Sequence, residues 1–272
     1  MQKIFIGIFV LICFNANAQE LYVYSEPASN MPAHSLGVKL TSNFVGKSQS
    51  AENRFMQRYT AEVMLGITKN LMWHAGVTFA DMYTSNLRWE SVYTYLKYRF
   101  VSIDEVHKHF RIAAFGKYSY NNSVIEQQAI DFFGHNSGYE GGIVATKLIN
   151  KLALSAASSF EHALDNGNNR FSYANNNRNA LAYSLSLGKL LLPKAYKDYN
   201  QVNLNGMIEL LGQTNFGNGK TYLDLAPSLQ FIFISKMRLD IGYRFEVVND
   251  LVRDNENGFL LRLEYNFFNA YK

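Results

Sequence analysis

Residues that could support hydrolysis come together at one point of the sequence, Ser158-Ser159-Phe160-Glu161-His162. A serine nucleophile needs a base within hydrogen-bond reach, and that base needs a third group to orient it. The residue types are present here, but the chain has no G-x-S-x-G motif, and asparagines that could orient His162 occur throughout it. Polar loop residues are the simpler interpretation. We therefore expect no catalytic residues and no enzyme activity.

Methionines and a histidine could in principle bind a soft metal ion. Met64, Met72 and His74 share one face of two predicted strands, and Met31 and His34 lie in the polar segment before the first strand. Thioether and imidazole ligands suit copper(I). A methionine that faces a lumen more often fills space, however. We therefore expect no metal site and no cofactor.

The composition excludes several classes of protein. The chain has 272 residues, with 26 lysines and arginines against 22 aspartates and glutamates, and a formal charge of +4. This weak excess, without a run of basic residues, argues against a nucleic-acid partner. The single cysteine excludes a disulfide scaffold, and the 48% hydrophobic content excludes a disordered chain. One folded unit remains, rich in tyrosine, phenylalanine, asparagine and serine.

The first eighteen residues have the pattern of a secretory signal peptide. Lys3 provides a short positive region, residues 4–14 are apolar, and Ala16-Asn17-Ala18 offers a small-x-small cleavage site. The apolar run is shorter than the roughly 20 residues that a membrane-spanning helix needs. We therefore predict a signal peptide over residues 1–18 and a β-barrel over residues 19–272.

Apolar and polar residues alternate with a period of two along most of the chain. In the last segment Leu261 and Leu263 fall on one face, and Arg262 and Glu264 fall on the other. The pattern predicts an all-β chain of about twelve strands. These cover residues 35–44, 59–67, 71–79, 89–100, 110–120, 139–148, 152–160, 180–190, 201–211, 222–233, 239–246 and 259–267.

The connections between these strands alternate in length. Short turns such as Thr68-Lys69-Asn70, and a somewhat longer connection over residues 101–109, alternate with long polar loops such as residues 161–179, which are rich in asparagine and glycine. Strands of about ten residues can cross a bilayer at a tilt, and aromatic residues such as Tyr98 and Tyr222 at strand ends suit aromatic girdles. These features favour a closed antiparallel up-and-down transmembrane β-barrel over a soluble β-sandwich. An even number of strands then puts both termini at the short-turn end, in the periplasm.

The polar faces of the predicted strands carry charges that would line the lumen. Basic residues cluster on the fourth and fifth strands, and acidic residues dominate elsewhere. This distribution predicts either a transverse field that orients a permeating solute or an internal salt-bridge network that closes the lumen. The predicted lumen-lining residues are Glu62, Lys97, Arg99, Arg111, Lys117, Glu140, Glu209, Asp224, Asp240, Arg244, Arg262 and Glu264.

The signal peptide, the long alternating strands and the final strand LLRLEYNFF, residues 260–268, together resemble a bacterial outer-membrane β-barrel. Residues 25–40, SEPASNMPAHSLGVKL, are similar to uncharacterised transporter-like barrels of gliding-type Gram-negative bacteria. The resemblance implies a place in the outer membrane, with outer-membrane lipid, the barrel-assembly machinery and a small solute as partners. One departure is the C-terminus, because residues 269–272 follow the terminal aromatic pair.

Residues 130–142, IDFFGHNSGYEGG, combine glycines with paired phenylalanines. A phosphate-binding loop would need a following helix, whereas a predicted strand follows here. We predict an extracellular loop that folds back toward the pore mouth.

Three functions therefore remain open at this point. The first is a narrow channel or transporter for small solutes. The second is a structural or assembly barrel in an envelope complex. The third is a membrane-embedded hydrolase. We expect the first.

Overall fold

The computed structural model describes residues 22–45, 56–81, 86–105, 108–193, 200–253 and 257–271. The predicted signal peptide lies outside the described residues. The strands are β1 (Ser35–Val45), β2 (Met56–Gly66), β3 (Leu71–Ala80), β4 (Arg88–Glu105), β5 (Lys108–Asn121), β6 (Gly138–Ile149), β7 (Leu152–Ala163), β8 (Asn179–Leu192), β9 (Asn203–Asn215), β10 (Thr221–Phe233), β11 (Met237–Asn249) and β12 (Gly258–Phe267). A short 3₁₀ turn, Asn175–Arg178, precedes β8.

The twelve strands close into an antiparallel β-barrel, which confirms the predicted fold. Each strand pairs with its neighbours in the sequence, and β1 pairs with β12, with Lys39 opposite Glu264. Closure leaves the sheet without a free edge, so neighbouring strands satisfy the backbone hydrogen bonds of the wall.

The period of two separates an apolar exterior from a polar interior. Leu40, Leu96 and Leu185 expose 52%, 46% and 54% of their surface on the outside of the barrel. Their sequence neighbours Lys39 and Lys97 are buried inside it. Successive side chains of a strand point to opposite faces, so each apolar position outside implies a polar position inside. An apolar exterior of this extent is typical of a barrel that contacts lipid.

Strands β4 and β5 extend further than predicted. Residues 101–109 were expected to form a connection, but β4 runs to Glu105 and β5 begins at Lys108. The physical reason is that the alternation continues here, with Ile103 directly opposite Phe110 on the exposed face. The hairpin therefore extends beyond β3, whose first residue Leu71 pairs with Tyr98, and ends level with β6, whose last residue Ile149 pairs with Lys108.

Two segments that are not strands enter the barrel. The first, residues 22–34, precedes β1 and crosses the lumen near the short-turn end; we call it the plug. The second, residues 122–137, connects β5 to β6 and enters from the long-loop end; we call it the inward loop. Within the described residues, none of the helical stretches is long and apolar enough to cross a membrane.

Candidate functional site

A cavity of about 300 Å³ lies inside the barrel between the plug and the inward loop. We call it the chamber. The plug contributes residues 23–26 to its lining, and the inward loop contributes residues 129–133. Tyr222, expected in an aromatic girdle, also lines it, because it shares the inward face of β10 with Asp224. The charged side chains of the wall that line the chamber include Lys39, Arg58, Glu62, Lys117, Glu140, Glu161, Arg244 and Arg262. Arg253, which follows β11, lines it as well.

A buried carboxylate on β9 anchors the start of the plug. Glu209 accepts hydrogen bonds from the backbone N–H groups of Val23, Tyr24 and Ser25, at 2.9, 2.9 and 2.8 Å. The Ser25 hydroxyl donates a further bond of 2.7 Å to the same carboxylate. Bonds of this kind to a charged acceptor are stronger than neutral ones. Glu209 therefore binds the plug backbone whatever side chains the plug carries.

The middle of the plug is attached to strands β4 to β6. The Lys97 ammonium donates to the carbonyl oxygens of Pro27 and Ser29, at 2.6 and 2.9 Å. The Ala28 N–H donates to the Thr146 hydroxyl at 2.9 Å. These contacts lie across the lumen from Glu209, so the plug is held on both sides of the barrel.

The plug also supplies a charge to the wall. The Glu26 carboxylate lies 3.6 Å from Lys39 Nζ and 3.7 Å from Lys97 Nζ. Burial would raise the pKa of Glu26, but the two ammonium groups outweigh burial and hold that pKa well below its usual range. Lys39 pairs in turn with Glu62 at 2.5 Å. The plug and the wall therefore share one ion-pair network.

The inward loop is attached at the opposite end of the chamber. Asp131 Oδ2 accepts a hydrogen bond of 3.2 Å from Arg58, a buried residue of β2. The Gln213 side chain of β9 accepts from the Ile130 N–H at 2.9 Å and donates to the Ile130 carbonyl at 2.8 Å. The loop thus reaches the barrel interior rather than only the pore mouth. The predicted loop over residues 130–142 is also shorter than expected, because Gly138 already begins β6.

A glycine permits the close approach of the loop to Arg58. Gly134 has a φ of +151°, and a Cβ at this position would stand 2.5 Å from Arg58 Nε. Its carbonyl accepts a bond of 2.6 Å from the Asn121 amide. A larger residue would push the loop away from β2.

Lys117 is a buried basic group of the chamber that lies beside acidic residues without a hydrogen bond to them. It is buried, and Phe133 of the inward loop covers it, with Nζ 3.0 Å from the ring centroid. Among the described residues, Lys117 Nζ has no hydrogen-bond partner. Glu140 and Glu161 follow it in direct cross-strand register on β6 and β7. The chamber wall therefore presents one ammonium beside two carboxylates.

An arginine pair surrounds a carboxylate near the long-loop end. Asp224 accepts two hydrogen bonds of 2.8 Å from Arg253 and one of 2.5 Å from Arg244. The Arg253 guanidinium also lies 4.0 Å from the centroid of the Tyr222 ring. This cluster closes the side of the chamber between β10 and β11.

The predicted lumen residues are divided among the chamber, the plug contacts and internal ion pairs. The chamber is lined by Glu62, Lys117, Glu140, Arg244 and Arg262. The plug is bound by Lys97, Glu209 and Arg111, the last through a 2.9 Å bond from its guanidinium to Ser29 Oγ. Arginines form buried ion pairs with the remaining three acidic residues, Asp224, Asp240 and Glu264.

Arg99 does not reach the chamber. It lies next to a register shift in β4, and its guanidinium donates to the Lys69 carbonyl in a short turn at 2.7 Å. It therefore caps the short-turn end of the barrel.

Ion pairs and hydrogen bonds connect the charged side chains of the lumen. Arg238 bridges Asp240 at 3.1 Å and Glu264 at 2.9 Å, and the basic residues Lys97 and Arg111 of the fourth and fifth strands bind the plug. The wall is thus a mixed network, which supports the second of the two arrangements predicted for the lumen charges.

Several residues of the site were absent from the predicted set. Lys39 lies on the inward face of a predicted strand, so the alternation itself could have identified it. Arg238 was overlooked because β11 begins at Met237, two residues before the predicted start at residue 239. Arg58 was overlooked because β2 begins at Met56, three residues before the predicted start. Glu26 and Asp131 lie outside the strands, where no periodicity indicates which way a side chain points.

The residues considered for hydrolysis do not form a triad. His162 Nδ1 lies 2.7 Å from Asn179 Oδ1, and its ring stacks on Tyr139. Ser159 points inward and donates to Glu140. Ser158 lies four residues before His162 on the same strand, roughly 13 Å away at the rise of a β-strand. Neither serine is within reach of the imidazole.

The structure brings most of the predicted soft-metal ligands together. Met64, Met72 and His74 face inward, and the Met31 N–H of the plug donates to the Met72 sulfur at 3.4 Å. His34 instead packs against Tyr271. The described part of the chain holds no group of three or more histidine, cysteine, aspartate or glutamate side chains arranged for a metal ion.

No protein-family model matches the sequence, and no curated protein is similar to it in sequence. The fold, by contrast, is similar to solved structures of outer-membrane porins and channels. The KdgM porin has a TM-score of 0.53 at 8% identity, covering 85% of this chain and 99% of that chain. An outer-membrane channel from Pseudomonas putida F1 has a TM-score of 0.54 at 11% identity, covering 90% and 99%. The NanC porin has a TM-score of 0.50 at 11% identity, covering 85% and 98%. At these identities the similarity shows the barrel fold alone.

Proposed function

We propose that the protein is an outer-membrane channel for small solutes. The solute path runs through the chamber, and the plug and the inward loop close this path at its two ends. The observation that carries this proposal is the chamber itself, a cavity of about 300 Å³ whose two covers are not strands of the wall. Hydrogen bonds and ion pairs hold both covers. Such segments can move while the strands of the barrel wall stay paired.

The exterior and the fold support the place of the channel in the outer membrane. The outward side chains form an apolar surface suited to lipid, and barrels of similar architecture include the KdgM and NanC porins. Outer-membrane lipid and the barrel-assembly machinery are the partners that such a location implies. The narrower similarity of residues 25–40 to transporter-like barrels of gliding-type Gram-negative bacteria rests on the sequence alone.

The chamber favours a small polar solute. Its volume is at the lower end of the range for small-molecule sites, about 300–1,000 Å³. Acidic and basic groups both line it, together with the tyrosines Tyr93, Tyr183 and Tyr222.

Conductance in planar bilayers tests the proposal. Wild-type protein should show rare openings, and Glu209→Ala should open more often because the plug loses its anchor. Glu246→Ala is the matched control: Glu246 is also an inward glutamate, but its contact is a 3.4 Å bond from Arg253 near the long-loop end. If neither variant conducts although both barrels are folded, the channel proposal fails.

A structural barrel is the second candidate, and one observation favours it. The lumen charges form an extensive ion-pair network that joins the plug to the wall, and such a network would suit a permanently closed barrel. Persistent absence of conductance in Glu209→Ala, together with stoichiometric co-purification of partner proteins, would support it.

A further inference from the structure

A second cavity, of about 40 Å³, lies between the plug and the barrel wall. Three methionines and one histidine contribute to its lining: Met31, Met64, Met72 and His74. Met64, Met72 and His74 are almost fully buried. The cavity therefore brings three thioethers and one imidazole together at the contact between the plug and the wall.

The four side chains converge from three segments of the chain. Met64 of β2 lies directly opposite His74 of β3, so their Cβ atoms are about 5 Å apart. Met72 precedes His74 by two residues and shares its face. Met31 reaches the same place from the plug, because its N–H donates to the Met72 sulfur at 3.4 Å.

A glycine leaves the space in which the methionines meet. A Cβ on Gly37 of β1 would stand 2.6 Å from the Met64 methyl carbon and 3.0 Å from the Met31 methyl carbon. The two thioether ends therefore lie against the same point of the wall.

The histidine is oriented as a ligand. Its Nδ1 lies 3.2 Å from Glu62 Oε1, so this ring nitrogen is the one turned toward the carboxylate. Its Nε2 is buried, and within the described residues it has no hydrogen-bond partner. A buried polar nitrogen without a hydrogen-bond partner is costly, and this one belongs to a residue that lines the thioether cavity.

We propose that Met31, Met64, Met72 and His74 bind a soft monovalent cation, copper(I). Thioether sulfur and neutral imidazole suit this ion, and the cavity needs to admit only a single ion without its hydration shell. The nearby Glu62 carboxylate is already engaged by Lys39 and by the Tyr93 hydroxyl. Glu26, Glu264 and Arg238 also line this cavity. Glu26 pairs with Lys39, and Glu264 pairs with Arg238. The four proposed ligands themselves are neutral and soft, which selects against zinc(II) and magnesium(II).

The site joins the plug to the wall. Met31 belongs to the plug, whereas the other three ligands belong to β2 and β3. A bound ion would add one more attachment to those made by Glu209, Lys97, Thr146 and Arg111. The proposal does not depend on whether the barrel conducts, and its test measures metal binding directly.

Silver(I) is the probe, because it has the same charge and softness as copper(I) without redox chemistry. The full chain is used in a Cys13→Ser background, so that no thiol competes. Calorimetric titration with silver nitrate in chloride-free detergent buffer should show one equivalent bound. In spectra of ¹³C-methyl methionine, the resonances of Met31, Met64 and Met72 should shift, and that of Met207 should not.

Leucine substitutions keep the volume of the site while removing its sulfur atoms. Met64→Leu/Met72→Leu should weaken silver(I) binding at least tenfold, and His74→Phe should weaken it as well. Met56→Leu/Met207→Leu is the matched control, since both of these methionines are buried elsewhere in the barrel; it should bind as wild type does. Heat-modifiable migration on a gel confirms that each variant is folded.

Three results would overturn the proposal. The first is equal affinity in the Met64→Leu/Met72→Leu and control variants. The second is a titration without a one-equivalent transition. The third is tighter binding of zinc(II) than of silver(I) by the wild-type protein.

Discussion

Replacing Glu209 with alanine should release the plug. The change removes the acceptor of three backbone N–H groups and the Ser25 hydroxyl, at 2.7–2.9 Å. A hydrogen bond to a charged group contributes about 1.5–3 kcal/mol, but water from the chamber can solvate part of what is freed. We therefore expect a loss of roughly 3–5 kcal/mol in plug docking, which corresponds to roughly a 10²- to 10⁴-fold change in the docked-to-free ratio.

Hydrogen exchange measures this ratio at the atoms concerned. The amides of Val23, Tyr24 and Ser25 should exchange faster by about the same factor in Glu209→Ala, because they are exposed whenever the plug leaves. The wall amides should keep their protection, and Glu246→Ala should leave the plug amides as slow as in wild type. Unchanged protection of the three amides in a folded Glu209→Ala barrel would refute the reasoning.

Leu263 faces the exterior and Arg262 is turned inward. Leu263→Arg should therefore lose about 2–4 kcal/mol of folding free energy near the bilayer midplane, whereas Arg262→Leu should assemble normally. Folding titrations into lipid vesicles compare the two variants, and the opposite order of stability would invert the facing assignment. Burial would raise the pKa of Asp131, but the Arg58 guanidinium outweighs it and lowers that pKa to about 2. The ordinary pKa of an aspartate is about 3.9, so the ion pair should stabilise loop docking fully above about pH 4 and lose that effect as the pH falls toward 2. A fluorophore on the inward loop should report release of the loop between about pH 4 and pH 2. Release near neutral pH would contradict the assignment. Lys117→Met should shift the selectivity of the open channel toward cations, measured as a reversal potential in a salt gradient; an unchanged potential would place Lys117 outside the path.

The wall of the barrel could be predicted from the sequence because one local rule determines it. Leu261, Arg262, Leu263 and Glu264 alternate in polarity, and a β-strand places successive side chains on opposite faces. A shift of one residue would turn every apolar side chain of the strand toward the lumen and every charged one toward the lipid. The same rule indicates that Met64 and His74 share the inner face.

The contents of the barrel could not be predicted in this way. The plug binds Glu209 through the backbone amides of residues 23–25, more than 180 positions away in the sequence. Every residue other than proline carries such an amide, so no side-chain pattern indicates the contact. The inward loop is likewise held by Gln213 and Arg58, which meet Ile130 and Asp131 only after the barrel has closed.

Single-channel conductance of a Ser25→Cys/Ser186→Cys variant tests most directly whether the plug closes the solute path. The two hydroxyl oxygens are 2.8 Å apart, so sulfur atoms in their place need only a small approach to form a disulfide of about 2.05 Å. In a Cys13→Ser background, we expect the oxidised channel to stay closed and the reduced channel to open as wild type does. The conductance of each single-cysteine variant should not change when reductant is added. Equal conductance of the oxidised and reduced forms would show that the solute path does not run through the position of the plug, and would contradict the proposed gate.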